Sequence, residues 1–301
     1  MFEKALVMYI YAETPIHPGS GTVISGVVDL PIQRERHTEF PMIQGSSLKG
    51  VLRNSAEYIG ITGKVKVKEG AKEAEKEWID VIFGEQDRMG GVSVTDARIL
   101  AFPVRTLKGV FGWVTCPLVL DRYKRDLKLA GIEVDWEIPK PSSDEEAKVC
   151  KNSNLTENYV YIEDLQLKCS EDENVNKIAE QIAENLPKDD AYKEVKEKLK
   201  KDLVIVSDNV FRDLVLLTTE VVTRIRISSI TGTVEEGPWS EEYLPTDTIM
   251  YSLILIPSRL NNLKPEEITE KLMTYDGKIL QIGGDETIGK GFALIKLAEG
   301  G

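Results

Sequence analysis

The chain has 301 residues, 42% hydrophobic and 29% charged, which suits one large domain or two interlocked ones and excludes a disordered polymer. Its net charge of −12 counts against simple nucleic-acid binding, and no apolar run approaches the roughly 20 residues of a membrane helix. Cys116, Cys150 and Cys169 are odd in number and widely spaced, with no Cys-x-x-Cys pair, so a disulfide frame or structural zinc site is not expected and a reducing cytoplasm is.

Leu6 to Tyr11 reads as a buried first strand rather than a signal peptide. Ile16 to Arg53 follows and holds both histidines, Asp29 and the basic pair Arg34 and Arg36. Its first half, rich in Gly, Pro, Ser and Thr, reads as a long ordered loop. Phe40 to Ile43 gives a short strand, and Gly45, Ser46 and Ser47 a turn and N-cap for a helix over Ser47–Tyr58. On that helix Lys49 and Arg53 share a face at i, i+4, near an end that attracts anions.

The Lys-, Gly- and Glu-rich Gly60–Lys76 reads as a mobile surface loop and Glu77–Phe83 as a short helix stopped by Gly84. Strands are expected over Val92–Leu100 and Val110–Thr115, then a helix from Pro117 to about Ala130. Residues 132–203 read as an acidic insertion, with a strand near Tyr159–Leu167 and charged surface helices over Glu173–Leu186 and Ala191–Leu203. From Ser142 to Asp202 there are 16 acidic and 10 lysine residues, a net of −6, whereas Met1 to Arg53 balances 5 against 5. A polyanion could therefore meet the neutral, locally basic surface while the acidic segment faces away.

A short helix around Phe211–Leu216 precedes a stretch, 218–256, that reads as a long hairpin: Val221–Ile230 out, a polar turn region over Thr231–Pro245, and Thr248–Ile256 back. Pro265–Met273 is helical, and Ala293–Leu297 is a last strand. The strands at both ends should share one antiparallel-rich sheet.

Several residues carry possible chemistry. Gly283, Gly284, Gly289 and Gly291 surround Lys290, so a backbone could approach a phosphate there with a cation beside it. A glycine-rich hairpin turn explains the same pattern, and neither this loop nor Gly45–Gly50 is a Walker A motif. Asp29 reads as a general base, a metal ligand or a turn cap. His17 reads as an acid–base group or a surface histidine, and Glu241 and Tyr243 as part of a solvated acidic turn.

Taken together, Thr14-Pro-Ile-His-Pro-Gly-Ser-Gly, Val27-Val-Asp-Leu-Pro-Ile-Gln-Arg-Glu-Arg-His-Thr and Ile43-Gln-Gly-Ser-Ser-Leu-Lys-Gly-Val-Leu-Arg resemble the repeated backbone subunit of the Cmr complex. That complex is the type III-B CRISPR RNA-guided effector, and the subunit belongs to the RAMP superfamily. Val94-Thr-Asp-Ala-Arg, Gly109-Val-Phe-Gly-Trp-Val-Thr-Cys-Pro and the terminal glycine loop extend the resemblance over nearly the whole chain. The Pro-Ile-Gln-Arg-Glu-Arg-His-Thr block is its most specific part.

The resemblance implies an α+β fold: one RAMP domain over 1–301 with a modified ferredoxin-like (RRM-like) core, an inserted β-hairpin thumb at 218–256 and the helical insertion at 132–203. It implies guide RNA, complementary target RNA, further copies of the chain in a helical filament and other Cmr-complex subunits as partners, with no membrane. It implies cleavage of target RNA at regular intervals, dependent on a divalent metal ion, Mg²⁺ or Mn²⁺. The family's key aspartate falls on Asp29, as catalytic residue and possible metal ligand. Its histidine falls on His17, with one extra loop residue between them here, and its thumb-side residues fall on Glu241 and Tyr243. The expected RNA contacts are Arg34, Arg36, Lys49, Arg53, Gly284, Gly289, Lys290 and Gly291. A non-catalytic RNA-binding scaffold of the same fold is the competing reading, and a small-molecule enzyme has no motif in its support.

Overall fold

The computed structural model describes residues 2–22, 28–69, 72–85, 87–258 and 262–300. Val27, which opens one of the resembling blocks, and Gly70, inside the lysine- and glutamate-rich stretch, lie outside the described residues.

Strand β1 (Phe2–Ala12) is buried from Leu6 to Ala12, as its continuous apolar run demands. Strand β2 (Met42–Ile43) leads into helix α1 (Gly45–Ser55), which begins ahead of the expected cap. Gln44 is the N-cap residue, and the Gly45 N–H donates instead to Asp96 Oδ1 at 2.8 Å. Gly45 is there for packing rather than for a turn, since a Cβ would lie 2.4 Å from the Val94 carbonyl oxygen.

Strands β3 (Lys64–Glu69) and β4 (Lys72–Glu77) form a hairpin where a loop was expected. Its register sets Lys64 opposite Glu77, Lys66 opposite Glu75 and Lys68 opposite Glu73. Opposite charges across a ladder stabilise it, and Val67 is buried against Val81 and Leu263. Helix α2 (Trp78–Phe83) stops at Gly84, whose φ is 93°. The short strands β5 (Gly84–Glu85) and β6 (Arg88–Met89) pair with each other.

The strand expected over Val92–Leu100 is divided at Thr95-Asp96 into β7 (Ser93–Val94) and β8 (Ala97–Arg105). Strand β9 (Phe111–Thr115) and helix α3 (Pro117–Leu129) follow as expected. The acidic region supplies β10 (Glu146–Val149), β11 (Tyr159–Ile162), β12 (Leu165–Glu171), α4 (Glu173–Glu184), α5 (Lys193–Asp202) and β13 (Leu203–Ile205). Helix α6 (Asp208–Leu217) is capped by Ser207, whose hydroxyl accepts from the Val210 N–H. The remainder is β14 (Glu220–Ile227), β15 (Val234–Tyr243), β16 (Ile249–Pro257), α7 (Pro265–Leu272), β17 (Ile279–Gln281) and β18 (Phe292–Glu299).

A 12-stranded mixed sheet runs β11-β12-β10-β13-β9-β8-β16-β1-β18-β17, with β2 also on β8 and β7 on β16. The first and last long strands are antiparallel neighbours, Leu6 facing Glu299 and Ala12 facing Ala293. Two expectations need correction. Residues 132–203 are not a helical region set apart from the core, because their strands β10, β11 and β12 continue the main sheet through β13 at their end, and buried Ala147, Val149, Val160 and Ile162 hold them there. The hairpin closes earlier than expected: Val234–Tyr243 is the return strand, paired with β14. Thr248–Ile256 instead lies at the centre of the sheet between β1 and β8, buried at almost every position, which a two-stranded exposed ribbon cannot offer.

Helix α3 packs on the sheet through aromatic contacts. Tyr9 and Tyr251 face each other across β1 and β16, and Tyr123 of α3 meets both. The Tyr9 and Tyr123 hydroxyls share a 2.7 Å hydrogen bond, so the buried polar tips are satisfied.

Candidate functional site

The stem of the exposed hairpin organises the site. Segment 28–32 lies along β15, with Leu30 N–H donating to Ser240 O and Glu242 N–H to Leu30 O, both at 3.0 Å. Ile16 and Leu244 form a second, antiparallel bridge just beyond the end of the strand. The long loop of the sequence is thus stitched to the strand at two points.

Side chains alternate along β15, so neighbouring residues serve opposite faces. Ser240 and Glu242 receive the loop. The Ser240 N–H and hydroxyl both donate to Asp29 Oδ2 at 2.8 Å, and the Asp29 N–H donates to the Ser240 hydroxyl oxygen at 3.0 Å. Asp29 is exposed, and these bonds from the Ser240 backbone and side chain hold its carboxyl below the usual carboxylate range. Glu242 is buried, accepting from Ile32 N–H at 3.0 Å, Thr219 Oγ1 at 2.7 Å and Arg34 Nη2 at 2.5 Å.

Trp239, Glu241 and Tyr243 serve the other face. Glu241 Oε2 accepts from Arg224 Nη1 at 2.6 Å and from the Tyr243 hydroxyl, and Oε1 from Trp239 Nε1 at 2.8 Å. Burial alone would raise its pKa, but these hydrogen bonds outweigh burial and bring the carboxyl down to about 2. Arg224 Nη1 also donates to Asp285 Oδ1 at 3.0 Å, and the Tyr243 hydroxyl, 2.8 Å from Asp285 Oδ2, shares its one proton between that carboxylate and Glu241. Burial and the two carboxylates push the Tyr243 hydroxyl well above its ordinary pKa. Glu241 and Tyr243 are therefore not a solvated turn: they are 5% and 1% exposed and lock the hairpin to the glycine loop.

His17 lies between these groups. Its Nδ1 is 2.6 Å from the Glu242 carbonyl oxygen and must donate to it, so Nε2 is the ring's only possible acceptor atom. The His17 carbonyl accepts from Gly284 N–H at 3.0 Å, and its ring stands 5.5 Å from that of Tyr243. A Cβ on Gly283 would come within 2.3 Å of the His17 carbonyl oxygen, and one on Gly291 equally close to that of Ile282. Those glycines are explained by close packing of the loop. Gly289 has φ 79° and open space beside it, and the Lys290 ammonium lies 4.9 Å over the Tyr243 ring.

The basic candidates separate. Lys49 does share a face with Arg53, but both turn toward α2 and the segment behind it. Lys49 Nζ donates to Val92 O at 2.8 Å, and burial lowers its pKa. Arg53 bonds Asp80 Oδ1 at 2.9 Å and the Gly84 carbonyl. Arg34 donates to Glu242 and to the Glu39 and Val215 carbonyls. Arg36 is exposed, and neither it nor Lys290 has an acidic partner among the described residues. Ser240, Arg224, Asp285 and Glu242 went unnoticed in the sequence. Asp285, one of two acids inside the glycine loop, and Arg224, one of two arginines in the β14 pattern, were the only signals.

No three His, Cys, Asp or Glu side chains converge among the described residues. A hard cation such as Mg²⁺ commonly keeps its waters and takes one or two carboxylates plus substrate phosphates. Asp29 could serve in that mode through Oδ1, the oxygen that Ser240 does not hold.

A mixed α+β sheet with an exposed hairpin clasped by a glycine loop defines a class, and residues 9–294 match the RAMP superfamily. The chain belongs to the RAMP superfamily. The CRISPR system Cmr endoribonuclease Cmr4 of Pyrococcus furiosus is 46% identical over 308 residues, covering 98% of this chain and 96% of that protein. The crystal structure of oligomeric Cmr4 from Pyrococcus furiosus superposes with a TM-score of 0.75 at 38% identity, covering 98% of this chain and 99% of that one. A chain of the type III-B Cmr-beta complex bound to cognate target RNA has a TM-score of 0.71 at 21% identity, with 98% of each covered, and shows the shared fold.

Proposed function

We propose that this chain is a repeated backbone subunit of a type III-B CRISPR ribonucleoprotein that holds guide RNA and cleaves complementary target RNA as an endoribonuclease. The observation that carries the proposal is the placement of Asp29 and His17. One is anchored on Ser240 and the other on the Glu242 carbonyl, two residues apart on one rigid strand. At roughly 3.4 Å per residue their anchor points are about 7 Å apart, which suits groups on either side of a phosphodiester. The scaffold reading has no comparable observation, and the 46%-identical relative is named an endoribonuclease.

The reading extends to the finer fold. Strands β8, β16, β1 and β18 lie side by side, each antiparallel to the next, and α1 and α7 fall where the chain crosses between them. That is the order of a βαββαβ ferredoxin-like core. The β14–β15 hairpin is then an insertion before its third strand, fit to act as the thumb that displaces nucleotides.

In the reaction a 2′-hydroxyl attacks the adjacent 3′-phosphate in line, giving up its proton to a base as the P–O5′ bond breaks and the leaving 5′-oxygen takes a proton from water, and the developing charge needs stabilisation. His17 Nε2, the ring nitrogen not committed to the Glu242 carbonyl, is the proton acceptor. The Asp29 carboxylate, kept ionised by Ser240, is a weak base and better fitted to orient and to hold a cation. A divalent ion held there would supply Lewis-acid polarisation of a phosphoryl oxygen. Lys290 and Arg36 supply positive charge for the RNA backbone. The test is product chemistry: a complex reconstituted with guide RNA should cut end-labelled target at regular intervals, leaving 2′,3′-cyclic phosphate and 5′-hydroxyl ends. Binding without cutting at any metal concentration would favour the scaffold.

A further inference from the structure

We propose that Ser240 is a positioning residue for RNA cleavage, its hydroxyl and backbone amide together fixing the Asp29 carboxylate in a single orientation. The inference rests on the reading of Asp29 given above and adds a residue to it. Asp29 is exposed, at the edge of a loop, where a carboxylate would otherwise rotate freely. Ser240 alone among the described residues outside Asp29 itself donates to it, through two bonds to one oxygen.

The hydroxyl is used in both directions. It gives its only proton to Oδ2 and accepts the Asp29 N–H, so its rotor is fixed as well. The outcome is that Oδ2 is held and Oδ1 has no hydrogen bond to another described residue, leaving it for RNA, water or a cation. The support beneath Ser240 is rigid. Its strand neighbours Trp239 and Glu241 are held by Arg224 on the opposite face, and Leu30 N–H binds the Ser240 carbonyl. Residues fixed by such a shell keep a reacting group within a narrow range of geometry. Alanine at 240 would retain the backbone bond and lose both hydroxyl contacts, whereas threonine would keep them.

The experiment compares complexes reconstituted with guide RNA and carrying Ser240→Ala, Ser240→Thr or Asp29→Ala. It measures single-turnover cleavage of end-labelled target and, in parallel, target affinity. Ser240→Ala is expected to slow cleavage by about 10- to 100-fold, the rate equivalent of hydrogen bonds to a charged group, with affinity within about twofold. Ser240→Thr should return the rate to within about threefold of the parent, because the hydroxyl is what matters. Equal losses in the alanine and threonine variants would overturn the inference, by making bulk rather than hydrogen bonding the cause. So would failure of Ser240→Ala to assemble, since the hydroxyl would then hold the stem rather than the carboxylate. An inactive Asp29→Ala with Ser240→Ala at the parental rate would sink this inference alone, whereas an active Asp29→Ala would sink the reading of the site itself.

Discussion

A single carboxylate at the end of a loop does much of the work proposed for this site, and its environment says what kind of work. Hydrogen bonds from Ser240 favour the charged form of Asp29, so it stays ionised through the neutral range and has little appetite for a proton. Asp29→Ala should therefore act through lost orientation and cation binding rather than a lost base, lowering target cleavage by about 10²-fold or more. Assembly and target affinity should stay near those of the parent, because the carboxylate is exposed and its backbone ladder to β15 survives. Cleavage of end-labelled target alongside a binding titration checks this, and affinity falling in step with the rate would make Asp29 structural. Gly283 is the residue-scale counterpart in the fold. It combines φ 87° with an approach of 2.3 Å between a would-be Cβ and the His17 carbonyl oxygen. Gly283→Ala should destabilise by more than about 1 kcal/mol and displace His17, lowering both the melting temperature and the cleavage rate. A variant that melts like the parent would contradict that packing account.

The β14–β15 hairpin is the element that gathers the site, and an ionic knot fixes its base. Glu241 accepts from Arg224, Trp239 and Tyr243, and its carboxyl is depressed from about 4.5 to about 2. A depressed carboxylate contributes stability that is fully present above its unfolded pKa and is lost as pH falls through the folded one. Glu241→Gln should thus cost about 1–3 kcal/mol at neutral pH, and its deficit relative to the parent should shrink between about pH 4.5 and 2. Thermal unfolding across that pH range is the measurement, and a deficit independent of pH would rule out the ionised carboxylate as its source. The resemblance pointed to Glu241 and Tyr243, but their partners were not legible in the sequence, where Thr231–Pro245 reads as a polar stretch rich in acids, with two glycines and two prolines. A ribbon exposed on both faces lacks the apolar alternation by which strands are recognised. The Lys/Glu hairpin β3–β4 was missed for the same reason, its pairing being written in charge rather than hydrophobicity. Buried strands fared better: β1, β9 and β18 fall where their apolar runs place them, although the partner of β16 was misjudged and the short strands β10 and β13 were not expected. Asp29 and His17 were visible as rare residue types in a loop, while the hydroxyl and carbonyl that orient them lie more than 200 residues away in the chain.

At the scale of the whole molecule, a net charge of −12 must be reconciled with a polyanionic partner. Composition cannot do this, because it counts every cation alike. The structure divides them by what they already hold. Lys49, Arg53 and Arg34 are engaged by carbonyls and carboxylates of their own chain, and withdrawing them would leave those acceptors unpaired. Lys290 lies beside the site and Arg36 is exposed, neither with an acidic partner among the described residues, and they can meet phosphate at little expense. Each phosphate contact on a single strand contributes about 0.7 to the dependence of log affinity on log salt. Arg36→Ala with Lys290→Ala should therefore flatten that slope by about 1.4 in RNA binding by the assembled chain, with similar weakening for unrelated RNA sequences. Lys49→Ala with Arg53→Ala should leave the slope unchanged and instead lower the melting temperature, since the lost bonds are internal. Titrations of labelled RNA at several salt concentrations, with thermal melts of the same preparations, separate the two pairs. A flattened slope in the Lys49 and Arg53 pair, with its stability intact, would return the RNA contact to α1 and refute this division of the charges.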